Sequence, residues 1–282
     1  MRGYKIKVKK IKAEVLIFNL LGMIVDPGRI YHSESINEVF ASKGLTIKDK
    51  VIADTCGLPV YWQIVKILAN KNTQSEWLKI NKTKPDQNTY DQLNEAVNSK
   101  ILEFIYKKDY IEMEFRDRVN KLFKKGYKII FTSDYNSETT KLIENILKEN
   151  KFNFHKIYSY SDFKVAFPHP LLCYKVAIDF NIFPTEGFVR IGDTKYHNVE
   201  AFYAGAWAVS ILSTGVFSEI DKTKLKKKGR LRSDKKIKSI SKKLKKSGAH
   251  YTIFTLNEVK WVIDDINYRL SHGDLPNCLY NN

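Results

Sequence analysis

Residues able to bind phosphate groups are concentrated in one stretch of this 282-residue chain. The stretch 222–246 contains fourteen lysines and arginines and a single acid, and it supplies thirteen of the seventeen net positive charges. Its basic residues are Lys222, Lys224, Lys226, Lys227, Lys228, Arg230, Arg232, Lys235, Lys236, Lys238, Lys242, Lys243, Lys245 and Lys246. A second basic group near the N-terminus comprises Lys5, Lys7, Lys9 and Lys10. Both groups predict binding to a polyanion through its phosphates, with an affinity that falls as salt is added.

The same stretch also has a simpler interpretation, as a solvated lysine-rich segment without a partner. It is of low complexity, and its apolar residues are too sparse to form a core of their own. These residues are Leu225, Leu231, Ile237, Ile240 and Leu244. Both interpretations stay open at this point, and they differ in that the first predicts salt-sensitive binding to RNA.

The bulk composition limits the class of protein. An apolar content of 43% in a chain of this length fits one α/β domain, or a core domain with a smaller insert. Cys56, Cys173 and Cys278 lie too far apart for a disulfide framework or a zinc site, which predicts a reducing, intracellular environment. The longest apolar run, 15–25, has about half of the ~20 residues that a spanning helix needs, so no membrane span is predicted.

Six short apolar runs bounded by turn residues predict β-strands, and helical patterns lie between most of them. The runs are 15–18, 128–132, 156–159, 188–191, 206–212 and 251–253. This alternation predicts an α/β fold with a doubly wound parallel sheet. No strand is evident between 33 and 115, which predicts an inserted helical module there, with 1–32 and 116–282 forming the core.

Several segments resemble the phosphonoacetaldehyde hydrolases of the haloacid dehalogenase (HAD) superfamily. The segments that are similar in order and spacing are 173–175, 191–194, 204–207 and 248–253. With 15–26 and the helical insert at the family's cap position, the resemblance spans nearly the whole chain and is weakest between 33 and 115. It implies a Rossmann-like HAD core with a helical cap domain. In working members it also implies an aspartate nucleophile, an imine-forming lysine and Mg²⁺.

The first motif of that family is altered in this chain. The family has its aspartate nucleophile at the end of the first strand. Two further residues follow the aspartate, and Gly and Thr come after them. This chain has Asn19 at the nucleophile position and Met23 in place of the threonine. An amide oxygen carries no charge, so it is a poor nucleophile and a weak Mg²⁺ ligand. Phosphoryl transfer through Asn19 is therefore not expected.

Three further family positions lack the group that the reaction needs. Val60 replaces the imine-forming lysine, Phe167 replaces the cation beside the phosphoryl group, and His197 replaces the second metal carboxylate. Thr132, or else Ser133 beside it, is retained as a phosphate-binding hydroxyl. Asp193 is retained too and is expected to cap a loop or helix start. One charged ligand in place of three predicts no Mg²⁺ site, so the resemblance implies a pseudoenzyme without a cofactor.

Lost chemistry, a retained fold and concentrated positive charge together predict a structural subunit of a large ribonucleoprotein, with a mitochondrial ribosome as the leading hypothesis. The expected partners are RNA, above all ribosomal RNA, and neighbouring proteins, and the cap module is a candidate dimer contact. The alternatives are a scaffold for an acidic protein surface such as the cytoskeleton, and a residual hydrolase. A mitochondrial location is favoured over a cytoplasmic one, although 1–12 lacks the serine-rich amphipathic pattern of a transit peptide.

Overall fold

Six parallel strands form the central sheet in the computed structural model, which describes residues 10–107, 111–163, 168–213 and 235–276. The strands are β1 (Val15–Asn19), β2 (Lys128–Ser133), β3 (Lys156–Ser159), β4 (Phe188–Gly192), β5 (Trp207–Ile211) and β6 (Tyr251–Ile253). Their order is β3-β2-β1-β4-β5-β6, and each neighbouring pair is parallel. The six predicted strands and the α/β fold class are therefore confirmed.

The central strands are apolar along most of their length because helices cover both faces of the sheet. Every residue of β1, β4 and β5 is buried. In β1, Leu16 and Phe18 belong to one apolar cluster, and Val15 and Ile17 belong to another on the opposite face. A strand buried on both faces shows a continuous apolar run, as the sequence does here.

The helices of the described ranges follow the predicted pattern. They are α1 (Ile30–Ser42), α2 (Asp49–Thr55), α3 (Val60–Ala69), α4 (Lys71–Asn81), α5 (Gln87–Lys107), α6 (Met113–Lys124), α7 (Ser137–Glu149), α8 (Leu171–Phe180), α9 (Lys195–Ala204), α10 (Lys235–Lys246) and α11 (Val259–Ser271). No strand interrupts the described part of 33–115. The predicted limits of the cap module fall inside α1 and α6, and the division into two domains stays a prediction. None of the described helices is long and apolar enough to span a membrane.

Helix α10 corrects one prediction about the lysine-rich stretch. Ile237, Ile240 and Leu244 are buried in a small apolar cluster with Leu212 and Ala249. From the sequence these three residues are too sparse for a core of their own, because their partners Leu212, just after β5, and Ala249, before β6, lie outside the stretch. Residues 235–246 are thus a packed amphipathic helix, whereas 222–234 lie outside the described residues.

The strand order places one crevice at the carboxyl ends of β1, β2 and β4. Strand β1 has β2 on one side and β4 on the other, so the chain changes direction across the sheet at this point. Ligands of open α/β sheets bind at such a switch point. Asn19 ends β1, Asp134 follows β2 and Asp193 follows β4, so these three residues share one edge of the sheet.

Candidate functional site

Asn19 uses both atoms of its amide in hydrogen bonds within the protein. Its Nδ2 donates to the carbonyl oxygen of Leu21 at 2.8 Å, and the hydroxyl of Thr132 donates to its Oδ1 at 3.1 Å. The residue is fully buried. A carboxylate at this position would face the Leu21 carbonyl without a proton to donate. The local structure is therefore built for an amide and offers no charged oxygen for attack on phosphorus.

The guanidinium of Arg29 lies between two buried carboxylates. Its Nε and Nη2 donate to Asp193 at distances of 3.1–3.3 Å, and its Nη1 donates to Asp134 at 3.2 Å. All three side chains are at most 1% exposed. Asp193 was predicted to cap a loop or helix start, and that prediction is wrong because its carboxylate binds Arg29. The residue that precedes α9 is Thr194, which makes no side-chain cap bond.

The backbone around Arg29 is shaped for this contact. Arg29 itself has left-handed backbone angles (φ 56°, ψ 34°) just before α1. Gly22 faces the ion pair, and a Cβ there would lie 2.8 Å from Nε of Arg29 and 2.9 Å from Oδ2 of Asp193. The position thus requires glycine both for this close approach and for its own positive φ of 85°.

Burial and charge set the protonation of the groups in this pocket. Burial would lower the pKa of Arg29, but the charges of Asp193 and Asp134 raise it above its ordinary value. Burial raises the pKa of Asp134 to about 6, against the opposing effect of Arg29. The pKa of His32, whose Nε2 lies 3.0 Å from Oε1 of Gln63, is lowered to about 4, first by burial and then by the charge of Arg29. Arg29 is therefore the fixed cation of the pocket, beside a neutral imidazole.

His197 is close to Asp193 and is also neutral. Its Nδ1 lies 3.2 Å from the hydroxyl of Thr194 and 3.6 Å from Oδ1 of Asp193. Burial first, and then the charges of Arg190 and Arg29, lower its pKa well below the ordinary value. The residue thus offers an uncharged imidazole where the resemblance implies a carboxylate.

Thr132 is in the predicted place, but its hydroxyl is held by protein groups. It accepts from Nη2 of Arg190 at 3.1 Å while it donates to Asn19. Arg190 also donates from Nε to Glu200 at 2.8 Å, and both side chains are fully buried. The phosphate-binding hydroxyl has become part of an internal network. Sequence analysis missed Arg190 and Glu200 because arginine in a strand and glutamate in a helix carry no signal of a buried pair.

Comparisons with known proteins identify relatives that cover nearly the whole chain. Phosphonoacetaldehyde hydrolase from Bacillus cytotoxicus is 22% identical over 255 residues, which cover 90% of this chain and 97% of that protein. The same enzyme from Bacillus mycoides is 24% identical over 259 residues, with the same coverage. The chain is therefore similar to phosphonoacetaldehyde hydrolases along nearly all of its length. No family model matches the chain.

Solved structures of HAD proteins share the fold. A phosphonoacetaldehyde hydrolase-like protein from Oleispira antarctica has a TM-score of 0.83 at 20% identity, over 97% of this chain and 100% of that one. A β-phosphoglucomutase from Clostridium difficile has a TM-score of 0.64 at 17% identity, over 92% and 99% of the two chains. The Rossmann-like HAD core is therefore the architecture of this chain.

The residues present do not fit the Mg²⁺ ion that the HAD resemblance implies. Magnesium prefers hard oxygen ligands in octahedral geometry and is bound in proteins by carboxylates that are free to coordinate it, together with water. Here Asn19 is an amide, His197 is a neutral imidazole, and the Asp193 carboxylate is occupied by Arg29. Within the described ranges, no group of three His, Cys, Asp or Glu side chains is arranged to hold a metal ion.

A cleft of about 520 Å³ adjoins the pocket between α3, α5 and the segments after β2 and β3. Val60 lines it and donates its backbone N–H to the carbonyl oxygen of Asp134 at 3.4 Å. Val60, at the position of the family's imine-forming lysine, therefore lies beside the pocket and has an apolar side chain. Among the described residues that line the cleft, Asp134 is the one charged group, so an anionic substrate meets no cation there. Phe167 lies outside the described residues.

The predicted phosphate-binding lysines lie on another part of the molecule. The α10 lysines whose side chains are described are all exposed: Lys235, Lys238, Lys242, Lys243, Lys245 and Lys246. None of them forms a salt bridge within the described part of the chain, and α10 contains no acid. Lys10 is exposed as well. The remaining predicted positions, Lys5, Lys7, Lys9 and 222–234, lie outside the described residues, as does the side chain of Lys236.

A groove of about 750 Å³ lies beside α10, and we call it the basic groove. Four lysines border it: Lys238, Lys242, Lys245 and Lys246. Its apolar lining comes from Leu212, Ile237, Phe254 and Trp261. Trp261 on α11 is 48% exposed, and its ring packs edge-on against Tyr251. Sequence analysis missed this aromatic group because Trp261 and Phe254 lie beyond the lysine-rich stretch.

Proposed function

We propose that this chain is a catalytically inactive HAD protein that serves as a structural, RNA-contacting subunit of a large ribonucleoprotein, specifically a mitochondrial ribosome. The observation that carries the loss of catalysis is the arginine that occupies both carboxylates of the pocket. Together with the amide of Asn19, it places no charged nucleophile at the end of β1 and holds both carboxylates that could bind a metal ion. The Bacillus relatives are named phosphonoacetaldehyde hydrolases, and the proposal is that this chain has kept their fold without their reaction.

The RNA contact is supported by charge that the protein does not neutralise itself. The exposed lysines of α10 repel one another unless a polyanion binds them. The basic groove adds an exposed indole beside four of these lysines. Cationic side chains next to an aromatic face are the combination that binds single-stranded nucleic acid, because phosphates pair with the lysines and a base stacks on the ring.

Salt-dependent binding to RNA tests this part of the proposal. The test variant replaces Lys238, Lys242, Lys245 and Lys246 with glutamine, which keeps the buried face of α10. The control variant removes the same charge from exposed positions on and after α4: Lys71, Lys79, Lys82 and Lys84. We expect the groove variant to lose at least tenfold in affinity and to reduce the slope of log affinity against log salt by about 3, since each single-strand contact contributes ~0.7.

Fluorescence anisotropy with an RNA that contains a single-stranded loop provides the measurement. The salt concentration is varied between about 50 and 200 mM, the range over which binding through phosphate contacts weakens strongly. Equal salt slopes for the groove variant and the α4 variant would reject the RNA surface. Binding of an acidic protein by the wild type, lost in the groove variant, would instead support the cytoskeletal alternative.

Sedimentation of the native protein tests the assembly. In a lysate of mitochondria, we expect the chain to co-sediment with ribosomal particles and to shift to light fractions after nuclease treatment. Pelleting with filaments after nuclease treatment would contradict the ribonucleoprotein and favour the acidic protein surface.

Enzyme assays test the loss of catalysis. With phosphonoacetaldehyde or a general phosphate ester and added Mg²⁺, we expect no release of phosphate above that of the Asp193→Ala variant. Turnover that EDTA abolishes and that Asp193→Ala lacks would overturn the proposal.

A further inference from the structure

Two carboxylates from different strands converge on one cation in the pocket. Asp134 follows β2 and Asp193 follows β4, and both contact the Arg29 guanidinium within 3.3 Å. They carry two negative charges against one positive charge in a place that water does not reach. In addition, Oδ1 of Asp134 is buried without a hydrogen-bond partner among the described residues. One guanidinium thus compensates this acidic pair incompletely, whereas a divalent ion would balance it.

The conformation of Arg29 shows that the contact is retained against a backbone cost. Left-handed backbone angles are energetically unfavourable for residues other than glycine, and Arg29 adopts them. The turn before α1 contains two more residues of positive φ, Asp26 and Gly28. This turn directs a long side chain from the start of α1 into the space between the two carboxylates, where Gly22 leaves room for it.

We infer that the Arg29 guanidinium occupies a divalent-cation site formed by Asp134 and Asp193, and that it excludes metal ions by serving as an internal cation. The wild type is then insensitive to divalent metals. Removal of the guanidinium leaves two facing carboxylates that bind a divalent ion in its place. This inference does not depend on the RNA contact, and it is separate from the absence of a nucleophile at Asn19.

The test compares the wild type with Arg29→Met, which keeps an unbranched apolar side chain in the pocket and removes the guanidinium with its charge. Thermal unfolding is followed with and without Mg²⁺ or Mn²⁺, and Mn²⁺ binding is measured by electron paramagnetic resonance. We expect no response from the wild type. For Arg29→Met we expect a melting temperature that rises by several degrees with metal, because a ligand that binds the folded state stabilises it, together with saturable Mn²⁺ binding.

The matched control is the double variant Arg29→Met/Asp193→Asn, which lacks one carboxylate of the pair. It is expected to lose the metal response. An Arg29→Met protein that folds and binds no Mn²⁺ would overturn the inference. If Arg29→Met does not fold, recovery of folding in the double variant would support charge compensation, and failure to recover would show that the guanidinium acts through packing.

The same variants separate this inference from the proposed function. Arg29→Met is expected to bind Mn²⁺ and still release no phosphate, because Asn19 cannot attack. Phosphate release by this variant would contradict the proposal that Asn19 makes the pocket inactive. It would not contradict the inferred metal site.

Discussion

The pocket at the sheet edge and the basic groove use positive charge in opposite ways. In the pocket, Arg29 and Arg190 are fully buried, and each binds acids of the same chain. In the groove, lysines project from one side of α10, and no described acid forms a salt bridge with them. Charge that is paired internally contributes to the fold, whereas exposed charge is solvated and remains available to a partner. The comparison therefore predicts a stability role for the pocket and, under the proposed function, a recognition role for the groove.

The largest expected difference between the two regions is in folding stability. Arg29→Met leaves two buried carboxylates without their cation, and breaking a buried pair in this way costs about 3–5 kcal/mol. Lys242→Met removes an exposed charge of α10 and is expected to change stability by less than about 0.5 kcal/mol. Urea denaturation of both variants in metal-free buffer measures the difference. Similar losses of unfolding free energy in the two variants would show that the pocket cation contributes no more to stability than an exposed lysine of α10.

The next effect is a pH dependence that arises in the pocket. The pKa of His32 is about 4 in the folded protein, because of burial and then the charge of Arg29, against 6.5 for an ordinary histidine. Below pH 6.5 the unfolded chain gains a proton that the folded chain does not, so this contribution to stability is present above pH 6.5 and is lost as the pH falls towards 4. Over that range the loss is on the order of 3 kcal/mol.

Replacement of His32 by glutamine is expected to flatten the decline in unfolding free energy between pH 6.5 and 4. Denaturation at several pH values in that range measures it. The same substitution at His272, which is exposed directly after the end of α11, provides the control. An unchanged pH profile in His32→Gln, matching that of His272→Gln, would show that the pocket does not hold this histidine neutral.

The smallest expected effect concerns the groove. Stacking of one base on an aromatic ring contributes ~1–3 kcal/mol, so Trp261→Ala is expected to weaken binding of single-stranded RNA by that amount without changing the salt slope. Tyr268→Ala is the matched control, since Tyr268 lies on the same helix, is 63% exposed and does not line the groove. Equal affinities for the two variants would limit the groove to phosphate contacts.

The sheet and its flanking helices could be predicted from the sequence because each strand is a short apolar run between turn residues. The placement of Asn19 at the edge of the sheet was also predictable, because the residue directly follows the first apolar run. Arg29 was not predictable in the same way. Its partners lie 105 and 164 residues away in sequence, and only the strand order brings them together. Asp134 did leave a signal, because it lies two residues after the predicted strand 128–132, which ends at the same edge.

The lysine-rich stretch also shows that contacts between distant segments cannot be predicted from local sequence. Its charge was evident in the sequence, but the apolar face of α10 was discounted because three apolar residues form no core by themselves. Leu212 and Ala249 complete that core from neighbouring segments. Local composition predicted what α10 exposes, and tertiary contacts decide what it buries.

The amide hydrogen bond of Asn19 limits what a single substitution can achieve at the end of β1. Replacement by aspartate would place an anion against the carbonyl oxygen of Leu21, which now accepts from the amide at 2.8 Å. It would also add a third acid beside a pair already served by one arginine. Asn19→Asp alone would therefore add a negative charge without a second cation, so an acid at this position would also require a change in the turn before α1 that carries Arg29.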